Sequence, residues 1–285
     1  MDKNYKLTGF ADEISDNLSI QIESLKTLGM KYVEMRGVDG NNIIYHEDAK
    51  VREIKKRLDD NGIALSAVGS PLGKIGITDA FDRHFEEFKR GIEVAHMMDA
   101  EYIRMFSFYI PEGKSAEYKA EVFDRLGQFA DYASANDIIL LHENEKGIYG
   151  EKAEECREIL DEFGSKSFKA IFDFANFVQA KQDTLKAYEL LKDHVAYIHI
   201  KDAKWEDGRV VPSGYGDGNV AQILKNLFES GYSGFLSLEP HLFHFKGFDL
   251  LEEGNEFAPA PDKELTGFEA FKLAKDSLEK VIVNI

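Results

Sequence analysis

Four stretches in the second half of the chain end in groups that a divalent cation would take as ligands. HENE carries Glu143 and Glu145, FDFAN carries Asp173 and Asn176, IHIKD carries His199 and Lys201, and LSLEPH carries Glu239 and His241. Each follows a short apolar run, and charge in such a run is costly unless it is paired. Two Glu, one Asp and one His make an oxygen-rich donor set with one imidazole. That set suits Mn²⁺ first, then Mg²⁺ or Co²⁺, with Zn²⁺ also able to use it. Three carboxylates facing one cavity repel, and some stay protonated unless a cation binds among them. Singly, each group has a plain reading: a structural histidine, a surface glutamate, an aspartate capping the next helix. It is their recurrence at the tips of four consecutive runs that points to a metal site.

Those runs belong to a longer alternation of short apolar stretches and amphipathic ones. KLTGFADEI precedes a helix around Leu18 to Leu28, and KYVEMRG one around Asp48 to Asn61. IALSAVGSP precedes Ala80 to Met98, EYIRMFSFY precedes Glu117 to Ala135, and DIILLHENE precedes Glu151 to Phe163. FKAIFDFAN precedes Thr184 to Leu191, VAYIHIKD precedes Val220 to Ser230, and GFLSLEPHL precedes a last helix over Gly267 to Val281. Eight strand–helix units in a chain of this length match a (β/α)8 TIM barrel, typically about 250 residues. An open doubly wound sheet would usually have fewer strands, and its glycine fingerprint is missing, since the first turn reads GFADEIS. No linker rich in Pro, Gly or Ser splits the chain, so residues 1–285 are expected to form one barrel domain. In a parallel barrel all strand C-termini share one face, where catalytic groups gather. The long stretch Phe243 to Thr266 would then belong to the mouth, as a candidate lid.

Period-two alternation places Glu143 and Glu145 on one side and His199 and Lys201 on one side. His142 and Asn144 point the other way, as structural residues. Glu34 and Arg36 end the second run on one face and are expected to pair with each other. His241 sits at the mouth, and His244 is expected to pack in the loop. Phe10, Phe106, Phe108, Tyr109, Trp205 and Tyr215 supply rings that would line a carbohydrate pocket or serve as core.

With 52 acidic against 35 basic residues the formal net charge is −17. That opposes binding to nucleic acid or to an anionic membrane. Cys156 is the one cysteine and sits within an amphipathic helix, so no intrachain disulfide forms and packing is its expected role. MDKNYKLTGF does not read as a signal peptide, no apolar run approaches about 20 residues, and a cytoplasmic location is the default.

The sequence resembles the sugar isomerase/epimerase superfamily with the xylose isomerase-like TIM barrel, the branch of ketose 3-epimerases, inosose dehydratase and hydroxypyruvate isomerase. The resemblance covers nearly the whole chain. It is strongest through LLHENE, FDFAN, HIKDA, RVVPSGYGDG and GYSGFLSLEPH. It implies that Glu143, Asp173, His199 and Glu239 hold one divalent metal, with Glu143 and Glu239 as the catalytic acid/base pair. It also implies that Arg209 contacts substrate, and Asn176 stands where relatives often have His. Endonuclease IV, in the same superfamily, is set aside because its several zinc ions need more histidines than this acidic chain offers.

The implied reaction is proton removal beside a carbonyl of a keto-sugar or related polyol, through an enediolate. Return of the proton gives an epimer or an isomer; loss of a β-substituent makes the protein a dehydratase or lyase. A barrel that binds sugar without catalysis is the remaining alternative. Glu145, Asn176, Lys201, Arg209 and His241 are expected to touch substrate. Only Lys201 and Arg209 read as basic groups at the mouth, so a neutral small-molecule carbohydrate is expected. A homo-oligomer is a family-level expectation.

Overall fold

Runs such as ILLHE and VAYIHI are apolar on both faces, as parallel strands need when helices cover one side and a barrel interior the other. The computed structural model describes residues 3–165, 167–242 and 265–285. Its eight barrel strands are β1 (Lys6–Gly9), β2 (Tyr32–Met35), β3 (Ala64–Val68), β4 (Tyr102–Met105), β5 (Ile139–Glu143), β6 (Phe168–Asp173), β7 (Val195–Ile200) and β8 (Phe235–Leu238). They form one parallel sheet in the order β1-β8-β7-β6-β5-β4-β3-β2. β1 and β2 then lie against each other without a paired register, so the barrel is nearly closed.

The helices that cover it are α1 (Leu18–Thr27), α2 (Asp48–Asp59), α3 (Phe81–Met97), α4 (Ser115–Ala135), α5 (Ala153–Phe163), α6 (Thr184–Leu191), α7 (Val220–Glu229) and α8 (Gly267–Asn284). The starts of α1, α6 and α8 follow local capping chemistry. The Asn17 side chain accepts from the backbone N–H groups of Ser19 and Ile20, and Asp183 accepts from those of Leu185 and Lys186. Thr266 and Glu269 form a reciprocal capping box at α8. The expected alternation is present, with short additions that include a hairpin pairing Gly37–Val38 with Asn41–Asn42 after β2, a helical turn, Phe174–Gln179, directly after β6, and a hairpin pairing Asp202–Ala203 with Val210–Val211 after β7. The candidate lid at 243–266, including His244, lies outside the described residues but for Leu265 and Thr266. Among the described residues, no helix is long and apolar enough to cross a membrane.

Register decides what faces the interior. Ser237 pairs with His199 across β8–β7, and His199 with Asp173 across β7–β6. Irregularities between Val33 and Glu34 in β2, and between Ala170 and Ile171 in β6, re-aim the residues that follow. Two main apolar cores result, beside a small cluster of Ala175, Val178 and Ala203. One fills the space between sheet and helices. The other, a plug of Ala67, Leu141, Ile171, Tyr197 and Phe235, closes the barrel interior. With its floor sealed by side chains, the barrel is open for chemistry only above the plug.

Candidate active site

Above the apolar plug lies a layer of buried hydroxyls. Thr8 Oγ1 is 2.7 Å from Ser66 Oγ, which is 2.9 Å from the Tyr197 hydroxyl. Tyr197 in turn donates to Glu34 Oε2 at 3.0 Å, and Ser237 Oγ donates to the same oxygen at 2.5 Å. Glu34 is fully buried, and its carboxylate sits 3.2 to 3.3 Å from His199 Nε2. An acceptor there fixes the ring so that Nδ1 turns upward.

Nδ1 of His199 meets three carboxylates. Glu143 Oε1 is 2.8 Å away, Glu239 Oε2 3.4 Å and Asp173 Oδ2 4.0 Å. One ligand atom from each of these four buried residues lies within 4.8 Å of the others. Asp173 divides its duties. Oδ1 caps the following helical turn by accepting from Asn176 N–H at 2.8 Å, while Oδ2 is buried with no hydrogen bond. Glu239 Oε2 is likewise buried without one. Besides His199 Nδ1, both bare oxygens have ion-pair contacts to Lys201 Nζ, at 3.4 and 3.3 Å. Bare carboxylate oxygens beside an imidazole nitrogen are the donor set that a divalent cation completes, so the residues fit such an ion.

The electrostatics agree with crowding of like charges. Burial, reinforced by Glu239 and Glu143, pushes the Asp173 carboxyl up to about 7. Burial alone would raise Glu143 too, but His199 and Arg104 outweigh it and bring the group down to about 2. Glu239 is held well below the usual range because Lys201 and His241 outweigh its burial. Burial would lower His199, but Glu143 and Glu34 raise it well above an ordinary histidine.

A second ring of groups surrounds Glu239. Arg36 Nη1 donates to Glu239 Oε1 at 3.2 Å, and its Nε and Nη2 fork onto Asp12 at 2.8 and 3.2 Å. His241 Nε2 lies 3.4 Å from Glu239 Oε1 and 3.5 Å from Glu13 Oε1. His241 holds a positive φ of 45°, a strained backbone for a non-glycine residue, and its N–H donates to Glu13 Oε2 at 2.8 Å. Burial pushes Glu13 up to about 7, against the pull of His241 and Arg36.

The structure brings Glu143, Asp173, His199 and Glu239 together, with Asn176, Lys201 and His241 at their edge. Asn176 Nδ2 lies 3.5 Å from Glu143 Oε1 and donates to Asn144 O at 2.8 Å. Glu145 accepts from Lys74 Nζ at 2.9 Å, and Arg209 lies apart on the hairpin, 3.8 Å from Asp207. Glu34 and Arg36 take separate partners: Glu34 serves His199, whereas Arg36 serves Asp12 and Glu239. Asp202 is consumed structurally, its carboxylate accepting from the N–H groups of Ala203, Gly214, Gly216 and Gly218 at 2.9 to 3.0 Å. Cys156 is buried, and its Sγ donates to Gly150 O. Of the six rings considered for the mouth, Phe10, Phe106 and Phe108 are fully buried, Tyr109 is half-buried, and Trp205 and Tyr215 are exposed.

Sequence reasoning missed Glu13 and Arg104. Arg104 follows the alternation Tyr102, Arg104, Phe106, and Tyr102 packs against the interior plug. That periodicity would have found it. Glu13 sits in a 3-10 turn, where no strand period applies.

Comparison with known proteins bears on these observations. A model of the xylose isomerase-like TIM barrel family matches residues 22–260. An uncharacterised protein of Methanocaldococcus jannaschii, MJ1311, is 27% identical over 163 residues, 54% of this chain and 55% of that protein. The match thus spans about half of the curated relative's length. The structure of the IOLI protein with a bound zinc atom superposes with a TM-score of 0.73 at 18% identity, covering 98% of both chains. A D-psicose 3-epimerase structure solved with D-fructose gives 0.72 at 18% identity, covering 96% of this chain and 97% of that one.

Proposed function

The chain belongs to the xylose isomerase-like TIM barrel family, and from that membership and the pocket geometry we propose that it is a divalent-metal-dependent sugar isomerase or epimerase. The observation that carries the reading is the convergence of two glutamates, from β5 and from the end of β8, on one histidine nitrogen, with a third carboxylate beside them. Glu143, Asp173, His199 and Glu239 would hold the ion, with Mn²⁺ as the first choice. Such an ion, when bound, supplies a Lewis acid that polarises a carbonyl and acidifies the neighbouring C–H.

The chain's own groups do the rest. Glu143 and Glu239 flank the same point from different strands, so one takes the proton and the other returns it. Lys201, 3.3 Å from Glu239 Oε2, places a fixed positive charge where negative charge develops on the substrate. Asn176 steadies Glu143, and His241 borders Glu239 at the mouth. Glu145 and Arg209, farther out, would meet the distal end of the substrate. The sealed floor beneath His199 keeps bulk water from that side. The zinc-bound IOLI structure and the D-psicose 3-epimerase structure share this fold, which supports the choice of reaction class.

The test is solvent exchange. Protein loaded with Mn²⁺ is incubated in D2O with a panel of ketoses, inososes and keto-glycosides, and NMR is read after the metal is stripped. Deuterium at a carbon beside the carbonyl, absent with Glu143→Gln and with Glu239→Gln, is the expected result. The products then separate epimerase, isomerase and lyase. Turnover unchanged in Glu239→Gln would remove the acid/base assignment.

A further inference from the structure

The carboxylates that would hold a cation come from β5 to β8, and the facing wall from β1 to β4 alternates cations with rings. Arg36 Cζ lies 4.4 Å from the Phe10 ring centre. Arg104 Cζ lies 4.9 Å from that same ring and 5.1 Å from the Phe106 ring. Lys74 Nζ stands 4.4 Å from the Phe106 ring centre. The mouth is therefore more basic than Lys201 and Arg209 alone suggested.

These cations are not equally satisfied. Arg36 has Asp12 in its fork, and Lys74 has Glu145 at 2.9 Å. Among the described residues, Arg104 has no carboxylate outside the ligand set. Its Nη1 lies 3.2 Å from Glu143 Oε2 and 3.9 Å from Glu239 Oε1, the two acids that a bound cation would claim. Its Nη2 makes only a 3.5 Å contact with Ser70 O, and its Nε has no hydrogen bond although the residue is 3% exposed. A guanidinium carries five donors, and burying it so sparsely partnered is costly unless an anion completes it. Phe10 and Phe106 hold the group in place, and its planar fork matches a carboxylate.

Resting on the acid/base reading of Glu143 and Glu239, we propose that the substrate is a sugar acid, whose carboxylate is taken by Arg104 next to the reacting carbon. Contact of Arg104 with both acids sets that position, since the reacting carbon must lie between them. The wall offers a planar fork rather than a cluster of backbone N–H groups, which assigns a carboxylate in preference to a phosphate ester.

Calorimetric titration of the Mn²⁺-loaded protein with gluconate and with glucitol tests this, because the two differ in the carboxylate alone. Gluconate is expected to bind about 100-fold more tightly, the scale of a charge-assisted hydrogen-bonded pair. In Arg104→Met, which keeps an apolar stem between the rings, that ratio should fall to about tenfold or less. Equal binding of both compounds by the unmodified protein overturns the assignment. So does an undiminished preference in Arg104→Met, since the ion itself would then be reading the carboxylate. A ketohexose phosphate that outcompetes gluconate overturns it as well. Should Arg104→Met fail to fold, Arg104→Lys keeps the charge and loses the fork, and a fall in the ratio of about tenfold is expected. The preference is read by binding alone. Absent solvent exchange would therefore overturn the reaction class and leave a measured preference standing, while a lost preference overturns only the sugar-acid assignment.

Discussion

Glu34→Gln is the substitution that most sharply probes how the site is held. Glu34 is fully buried, accepts from Tyr197 and Ser237, and is the acceptor facing His199 Nε2. Gln offers one acceptor oxygen and no charge, so His199 loses the group that fixes its ring and raises its basicity. Removing such an outer partner of a metal-ligating histidine typically weakens metal binding by roughly 10- to 100-fold. That corresponds to about 1.4 to 2.7 kcal/mol. At about 2.1 cal/mol/K per residue, unfolding of 285 residues carries an entropy of about 0.6 kcal/mol/K. The rise in Tm produced by a fixed excess of Mn²⁺ should therefore shrink by about 2 to 5 °C. Calorimetric titration with Mn²⁺ and thermal melts with and without the ion supply both numbers. Tyr197→Phe is the control: it removes one donor to Glu34 and leaves the Glu34–His199 contact in place, so its metal affinity should move less. An unchanged Mn²⁺ affinity in Glu34→Gln would refute the reasoning, since His199 would then not depend on Glu34 for its orientation.

Other consequences are as direct. Leu141 is fully buried in the plug beneath the site, so Leu141→Ala should cost about 2 to 5 kcal/mol and lower Tm by about 3 to 8 °C; a change below about 1 °C would show that the plug collapses around the cavity. Gly73 has a φ of 88°, and a Cβ there would lie 2.0 Å from the Phe106 carbonyl oxygen. Gly73→Ala should therefore shift the backbone that carries Lys74 and lower the urea midpoint by the equivalent of at least about 2 kcal/mol; a midpoint equal to that of the unmodified protein contradicts this. Burial lowers the pKa of His84, and its Nε2 accepts from Gly73 N–H at 2.8 Å. The unfolded chain then takes up the proton first, so this contribution is full above about pH 6.5 and is lost as pH falls below it. Urea midpoints at pH 7.5 and 5.5 should differ less in His84→Gln than in the unmodified chain, and equal differences would rule that histidine out.

The half of the site that the sequence displays is the half built from strand tips in consecutive apolar runs. Glu143, Asp173, His199 and Glu239 stand out because each is a ligand-type group that closes a short apolar run, and the four runs are consecutive. The opposite wall is hidden for physical reasons. Arg36 follows an irregularity in β2, which decouples its facing from a simple count. Lys74 and Glu145 meet across 71 positions, from two loops that no local pattern links. Glu13 reaches Glu239 and His241 from the turn after β1, a contact that only barrel closure produces. Asp202 looks like a ligand by type and position, yet four backbone N–H groups take it, because the glycines of SGYGDG let the main chain fold over it. Fold class was legible because eight alternations leave few other architectures; partner choice among buried charges was not, because it depends on register.

The measurement that tests the account most directly is metal stoichiometry. The purified chain is equilibrated with Mn²⁺, desalted and analysed for metal, beside an Asp173→Asn, His199→Ala double variant. The account predicts about one ion per chain in the unmodified protein and almost none in the variant. No retained ion in the unmodified protein, or equal retention in both, would contradict it.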